Sequence, residues 1–220
     1  LHSTSRRQRQ MCIRDRLCMI TVVASMVTGC VTSFDATGYV KGYLDSTMKA
    51  DFDEYAKLCD SEVSEVEKVY NKGIDNNVTS MLTGITVNDE TKESIRQALV
   101  AVFKNAKYTV GDAKKTDDGF EVSVEVTPLH LGLTTEKCTE LAQNALKKFQ
   151  KENPKSTDTT AYYNMYGQAI ASYLSDLAKK PVYGDKTTVT AKIVKSDKKY
   201  TLDTSSQNEL NTTLIKATEK

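Results

Sequence analysis

The sequence predicts an α+β fold, with helices packed on one face of an antiparallel sheet made of two β-hairpins. Between Asp35 and Ala106, and again between Thr135 and Leu177, apolar residues recur every three or four positions, the period of an amphipathic helix. In Phe120-Glu121-Val122-Ser123-Val124-Glu125-Val126-Thr127 they alternate strictly with polar ones, and Val189, Ala191 and Ile193 do the same, which is the period of a half-buried strand. The intervening residues Glu121, Ser123, Glu125, Thr188, Thr190 and Lys192 are polar, so one sheet face meets helices and the other meets water.

Taken in order, Asp35 is an N-cap, and Val40, Tyr43, Leu44, Thr47 and Met48 fall on one face of the helix it starts. The face resumes with Phe52, Tyr55 and Leu58 after a kink near Ala50-Asp51. Ser61 opens a second helix whose stripe runs Val63, Val66, Tyr70, Ile74, Val78, Met81 and Ile85, weakened by Gly73 and stopped at Gly84. Asp89 begins a third, with Ile95, Leu99, Val102, Phe103 and Ala106 inward. Asp117-Asp118-Gly119 then supplies turn chemistry between a strand over Tyr108 to Lys115 and the alternating strand, which Pro128 ends. A fourth helix runs from about Thr135 to Asn153-Pro154 and buries Cys138, Leu141, Ala142, Ala145 and Phe149. Asp158 caps a fifth, with Tyr162, Tyr166, Ile170, Tyr173 and Leu177 inward, closed by Pro181. Thr188 to Ile193 and Tyr200 to Leu202 form the second hairpin. An internal echo links the two: Lys115-Thr116-Asp117-Asp118-Gly119-Phe120-Glu121-Val122 matches Lys195-Ser196-Asp197-Lys198-Lys199-Tyr200-Thr201-Leu202.

The N-terminus differs in composition from the rest. Of six arginines, five lie in the first sixteen residues, and Arg96 is the only one after them, beside 24 lysines. Arg6 to Asp15 resembles a translated sequencing adapter, so residues 1–16 are set aside from fold reasoning, His2 and Cys12 with them. From Leu17 to Gly29 no residue is charged, and this run is well short of the ~20 residues a membrane-spanning helix needs. It has the length of a signal-peptide hydrophobic region. Val27-Thr28-Gly29-Cys30, which closes it, resembles the bacterial lipobox. That resemblance implies cleavage between Gly29 and Cys30, lipid attachment at Cys30, and residence on the outer face of the bacterial cytoplasmic membrane. Residues 30–34 are then a short tether, and 35–220 one α+β domain.

From Cys30 onward the chain holds 25 basic and 28 acidic residues, a net charge of −3 that gives no footprint for nucleic acid. A Lys-rich, Arg-poor, Trp-free composition fits a low-GC Gram-positive source. No G-x-S-x-G, H-E-x-x-H, phosphate-binding glycine loop or dinucleotide fingerprint is present, and nothing requires a cofactor. His130 in Pro128-Leu129-His130-Leu131-Gly132 has no Cys or His partner at metal-ligand spacing and reads as structural or surface. Cys59 and Cys138 fall on apolar stripes, as small buried hydrophobes do, and a disulfide between them stays open. Tyr162, Tyr163, Tyr166 and Tyr173 suit sugar or peptide binding by residue type but core packing by spacing, with Tyr163 the most exposed and the candidate ligand contact. Asp51-Phe52-Asp53-Glu54 lacks calcium-loop spacing and reads as a solvated helix start.

Phe34-Asp35-Ala36-Thr37-Gly38-Tyr39-Val40, Lys107 to Lys115 and Pro181-Val182-Tyr183-Gly184 resemble stretches of uncharacterised Gram-positive lipoproteins, the likeness covering Cys30 to about Leu202. The order of helices and hairpins is loosely similar to nuclear-transport-factor-2-like lipoprotein domains. Those cones line a concave sheet with apolar residues, whereas here the second face reads Glu-Ser-Glu-Thr. The resemblance implies no activity. The leading reading is a membrane-anchored, non-enzymatic module that binds a protein, peptide or cell-wall component; a small-ligand carrier serving a transporter and a wall-modifying enzyme are the alternatives.

Overall fold

The computed structural model describes residues 34–196 and 199–217. Gly29, Cys30 and the whole N-terminal segment up to residue 33 lie outside the described residues.

Helix α1 (Ala36–Leu44) is capped by Asp35, whose carboxylate accepts the Gly38 N–H at 2.8 Å. It runs into a π-helical turn, Asp45–Lys49, where the buried Ser46 and Thr47 hydroxyls donate to the Tyr43 carbonyl at 2.8 and 2.7 Å. Ala50 then adopts a left-handed conformation at φ 56°, which makes the expected kink. Helix α2 (Asp53–Leu58) folds back so closely that a Cβ on Gly42 would stand 3.2 Å from the Tyr55 backbone.

Ser61 does not open the next helix. Its N–H donates to the Ala56 carbonyl at 2.9 Å while Asp60 takes φ 50°, so Ser61 completes the left-handed closing turn of α2. Helix α3 (Val63–Met81) starts at Glu62 with no side-chain cap, and Val63 is exposed at the helix mouth instead of lying in the inward stripe. Helix α4 (Asp89–Phe103) is capped by Asn88, α5 (Thr135–Glu152) by Thr134 and α6 (Thr159–Lys179) by Asp158. Helix α6 lies against both α4 and α5. Gly167 permits the α4 contact, since a Cβ there would run into the Thr91 methyl.

Strands β1 (Lys107–Thr116) and β2 (Gly119–Thr127) form the first hairpin, with a bulge between Val110 and Ala113. Pro128 separates β2 from the short β3 (Leu129–His130), β4 is Val182–Tyr183, and β5 (Thr187–Ser196) with β6 (Lys199–Leu202) forms the second hairpin. The two hairpins join through β2 and β5 into one antiparallel sheet of order β1-β2-β5-β6. Val122, Val124, Val126, Val189, Ala191 and Ile193 are all buried, while Ser123, Glu125, Thr188, Thr190 and Lys192 are exposed. The inner face is covered by α1 and by a helix absent from the sequence-based expectation, α7 (Thr204–Leu214).

Also unforeseen is a second sheet of two-residue strands, order β4-β3-β7, with β7 at Ile215–Lys216. Leu129 pairs with Tyr183 on one side and, in parallel, with Ile215 on the other. The Leu131 and Leu133 N–H groups extend the pairing to the carbonyls of Lys216 (2.7 Å) and Ala217 (2.9 Å).

Candidate functional site

His130, the one histidine after Cys30 in the sequence, lies at a cleft. His130 ends β3, the turn Leu131-Gly132-Leu133 leads to the α5 cap at Thr134, and the first turns of α5 supply Glu136, Lys137 and Glu140. Tyr173 and Leu177 of α6 and the exposed Val182 of β4 complete a cleft of about 320 Å³. That size takes one side chain of a peptide or a single sugar-sized group.

Backbone pairing places His130 in the small sheet, registered with Val182 and Lys216. Its Nε2 lies so near Gly184 that a Cβ there would be 2.5 Å away, so glycine is the residue this approach admits. Its Nδ1 is buried without a hydrogen-bond partner among the described residues. Across the cleft the Tyr173 hydroxyl donates to the Leu131 carbonyl at 2.8 Å. Desolvation pushes the Tyr173 phenol above its ordinary value against the opposing pull of Lys137, so at neutral pH it acts as a neutral donor. Lys137 pairs with Glu140 at 2.7 Å and stands 5.6 Å from the Tyr173 ring centre. Cation, carboxylate, imidazole and aromatic ring thus meet round one small opening. This arrangement can hold a polar ligand by hydrogen bonds and charge.

The tyrosine row of α6 is a packing seam. Tyr162 sits 6.2 Å from Phe149, and its hydroxyl reaches the Ala142 carbonyl at 3.4 Å. Tyr163 is half-buried against the core, its ring 5.4 Å from Tyr162, and it lies outside the His130 cleft. Cys138 is half-buried and Cys59 buried, and the two are not joined in a disulfide. Desolvation pushes the Cys59 thiol up to about 11, which keeps it protonated and unreactive. Two further hollows flank the α4–α6 seam, of about 600 and 700 Å³. Two of their amides are already used: Asn164 accepts the Asn88 N–H at 2.8 Å, and Gln168 donates to the Thr91 hydroxyl at 3.3 Å. Sequence reasoning singled out His130 and Tyr173 but not their meeting, since the cleft's residues come from separate elements whose approach depends on the unforeseen small sheet.

Fold and cleft together define an α+β protein with one solvated sheet face and a small cleft at the edge of its helical layer. No family model matches the chain, and no curated protein matches it. Among solved structures, a presumed lipoprotein of Bacillus subtilis, ycdA, shares the fold with a TM-score of 0.57 at 18% identity, over 83% of this chain and 56% of that one. The chain therefore spans little more than half the length of that protein. At this identity the likeness is one of fold.

Proposed function

We propose that the chain is an extracytoplasmic lipoprotein, cut between Gly29 and Cys30, anchored through an acylated Cys30, and carrying a non-enzymatic binding module for a peptide or cell-wall component. The observation that carries the anchor is the Val27-Thr28-Gly29-Cys30 motif closing an uncharged run. The shared fold with a presumed lipoprotein supports it. Among the described residues no helix is long and apolar enough to cross a membrane, so they provide no rival helical anchor. The His130 cleft is the place for a ligand, with His130, Lys137, Glu136 and Glu140 offering hydrogen-bonding groups on a lining that is otherwise largely apolar. The outer face of the sheet, uncovered by a second layer among the described residues, weighs against a carrier built on two lobes around a large cavity.

The test is Cys30→Ala, expressed with a functional export leader in a Gram-positive host. Two acyl chains at ~0.8 kcal/mol per buried CH₂ give stable anchoring. Wild type should fractionate with membranes and take up labelled fatty acid, and the variant should do neither. Indistinguishable behaviour of the two would end the lipoprotein reading.

A further inference from the structure

We propose that the seam between α4 and α6 is a second binding site, one that takes an extended peptide by its backbone amides. It shares no lining residue with the His130 cleft and does not depend on the Cys30 anchor. The two hollows on this seam, of about 600 and 700 Å³, have Gln168 and Ser172 in common and so form one groove. Asn88 bonds to Asn164, Thr91 to Gln168 and Asn105 to Ala178, so α4 and α6 run in the same direction along it. Ala98 and Ala101 of α4 line it together with Ala171 and Ser175 of α6, leaving space that larger side chains would fill. From Asn164 to Lys179 the groove follows α6 for about 22 Å, the length of roughly six extended residues.

Two amides of this groove are each oriented by one half and open at the other. The Asn88 N–H can be accepted only by oxygen, so Asn164 turns its Oδ1 to it at 2.8 Å, and its Nδ2 donor has no partner among the described residues. The Ser94 hydroxyl spends its proton on the Glu90 carbonyl at 2.9 Å, so the Gln168 atom beside it, at 3.5 Å, is the donor Nε2. Nε2 also reaches the Thr91 hydroxyl at 3.3 Å, which leaves the Oε1 acceptor open. Asn164, Gln168 and Ser172 recur every fourth residue, on one face of α6 at steps of about 6 Å. An extended peptide presents the N–H and C=O groups of one edge at every second residue, about 6.7 Å apart. A peptide along α6 therefore meets a donor at Asn164 and an acceptor at Gln168 nearly in step. Asn144 of α5, which makes no hydrogen bond among the described residues, lines the same hollow, and the half-buried Met165 and Ala169 give an apolar bed for a small side chain. Each hollow is lined by one acid and one base, Glu90 with Lys148 and Asp176 with Lys179, so the lining selects for neither sign of charge. Among the described residues neither lining holds an aromatic ring on which a sugar could stack, which favours peptide over glycan.

The test is a nuclear magnetic resonance titration of the isotope-labelled full chain with acetyl-tetraalanine amide, a probe that offers backbone amides and almost nothing else. The side-chain amide signals of Asn144, Asn164 and Gln168 should shift saturably in the millimolar range, with the backbone amides of Thr134 and Lys137 at the His130 cleft unmoved. Acetyl-tetraproline amide, whose four residues have no N–H for Gln168 to accept, should bind about tenfold more weakly, the loss of one hydrogen bond. Asn164→Asp keeps the oxygen that holds the Asn88 N–H and removes the open donor, and should weaken tetraalanine by about tenfold. Ser172→Arg, at an exposed position shared by both hollows, should abolish the shifts while leaving the circular dichroism unchanged. Absence of saturable shifts, equal affinity for the two peptides, or full affinity in both variants overturns the proposal. Tighter binding of triacetylchitotriose than of tetraalanine overturns it in favour of a glycan. Shifts at Thr134 and Lys137 in place of the three amides overturn this site and leave the His130 cleft as the place where a peptide binds.

Discussion

The two hairpins share a turn register and differ at their outer edges. Thr116 pairs with Gly119 and Ser196 with Lys199, so the sequence echo corresponds to the same strand-to-strand geometry. Yet β2 lies between β1 and β5, whereas β6 is an edge whose one strand partner among the described residues is β5. The outer strand of the first hairpin is closed by α1: the Thr37 hydroxyl donates to the Gly111 carbonyl at 3.2 Å and accepts the Ala113 N–H at 3.0 Å, spanning the bulge. The second hairpin is followed by α7, where Asp203 caps the helix and the Ser206 hydroxyl accepts the Lys192 N–H at 3.0 Å. Turn chemistry can be repeated by local sequence. Closing an edge needs a partner from elsewhere in the chain, and each hairpin has found a different one.

The largest expected contrast lies across the sheet they share. Val124→Asp buries an unpaired charge at a fully buried site and should cost more than about 4 kcal/mol, enough to unfold a domain of ordinary stability. Ser123→Asp, one residue along on the solvated face, should cost under about 0.5 kcal/mol. Denaturant titration of both decides it; equal damage would mean that the outer face is covered.

The next contrast separates the equivalent turn residues. Gly119 has φ 152°, and a Cβ there would collide with the Ile193 carbonyl oxygen of the neighbouring strand, so Gly119→Ala should cost about 2 kcal/mol. Lys199→Ala, its counterpart on the edge strand, should change stability by under about 0.5 kcal/mol. Similar melting temperatures for the two variants would show that the positions are interchangeable after all.

Smaller again are the two edge closures. Thr37→Val orphans the bulge carbonyl and the Ala113 N–H and should cost about 1.5 kcal/mol, and Asp203→Ala should cost about 1 kcal/mol through the lost cap. Hydrogen exchange should localise the first loss to β1 and the second to α7.

Titration sharpens the contrast further. Desolvation raises the buried Tyr39 phenol on α1 to about 12 and the Cys59 thiol to about 11. Their stabilisation is whole below the ordinary values near 10 and 9 and is lost as pH climbs through the folded values. Asp203 moves the other way, held low chiefly by the Ser205 hydroxyl and then by the Ser206 N–H. Its contribution is present above its ordinary value and falls away as acid protonates it. Alkali should therefore loosen the α1 side first and acid the α7 cap, the latter weakly because Asp203 is well solvated. Tyrosine absorbance through pH 9–12, followed with circular dichroism, tests the alkaline arm; ionisation of every tyrosine near pH 10 with no loss of structure would refute it.

Much of the sheet was legible because Val122, Val124 and Val126 keep a strict period of two that only a half-buried strand requires. Helix α7 was not legible, because its buried face is mostly polar. Gln207 donates to the Leu202 carbonyl at 2.8 Å, Asn211 to the Tyr43 hydroxyl at 3.0 Å, and only Leu210 and Leu214 mark an apolar stripe. Polar side chains satisfied by hydrogen bonds inside the fold hide a helix from any pattern of hydrophobicity. Two-residue strands such as β3 carry no period at all, which is why His130 could be singled out while the cleft around it could not.

The parallel pairing of β3 with β7 also bears on the order of assembly. As the chain emerges from its N-terminus, the helices and hairpins up to Leu202 can fold while the far side of β3 still lacks Ile215 and Lys216. Until they arrive, Leu129, Leu131 and Leu133 present an apolar strand edge that another nascent chain could occupy. The closing two residues act as a plug for that slot, and their late delivery makes chain-to-chain mispairing the hazard this fold must outrun.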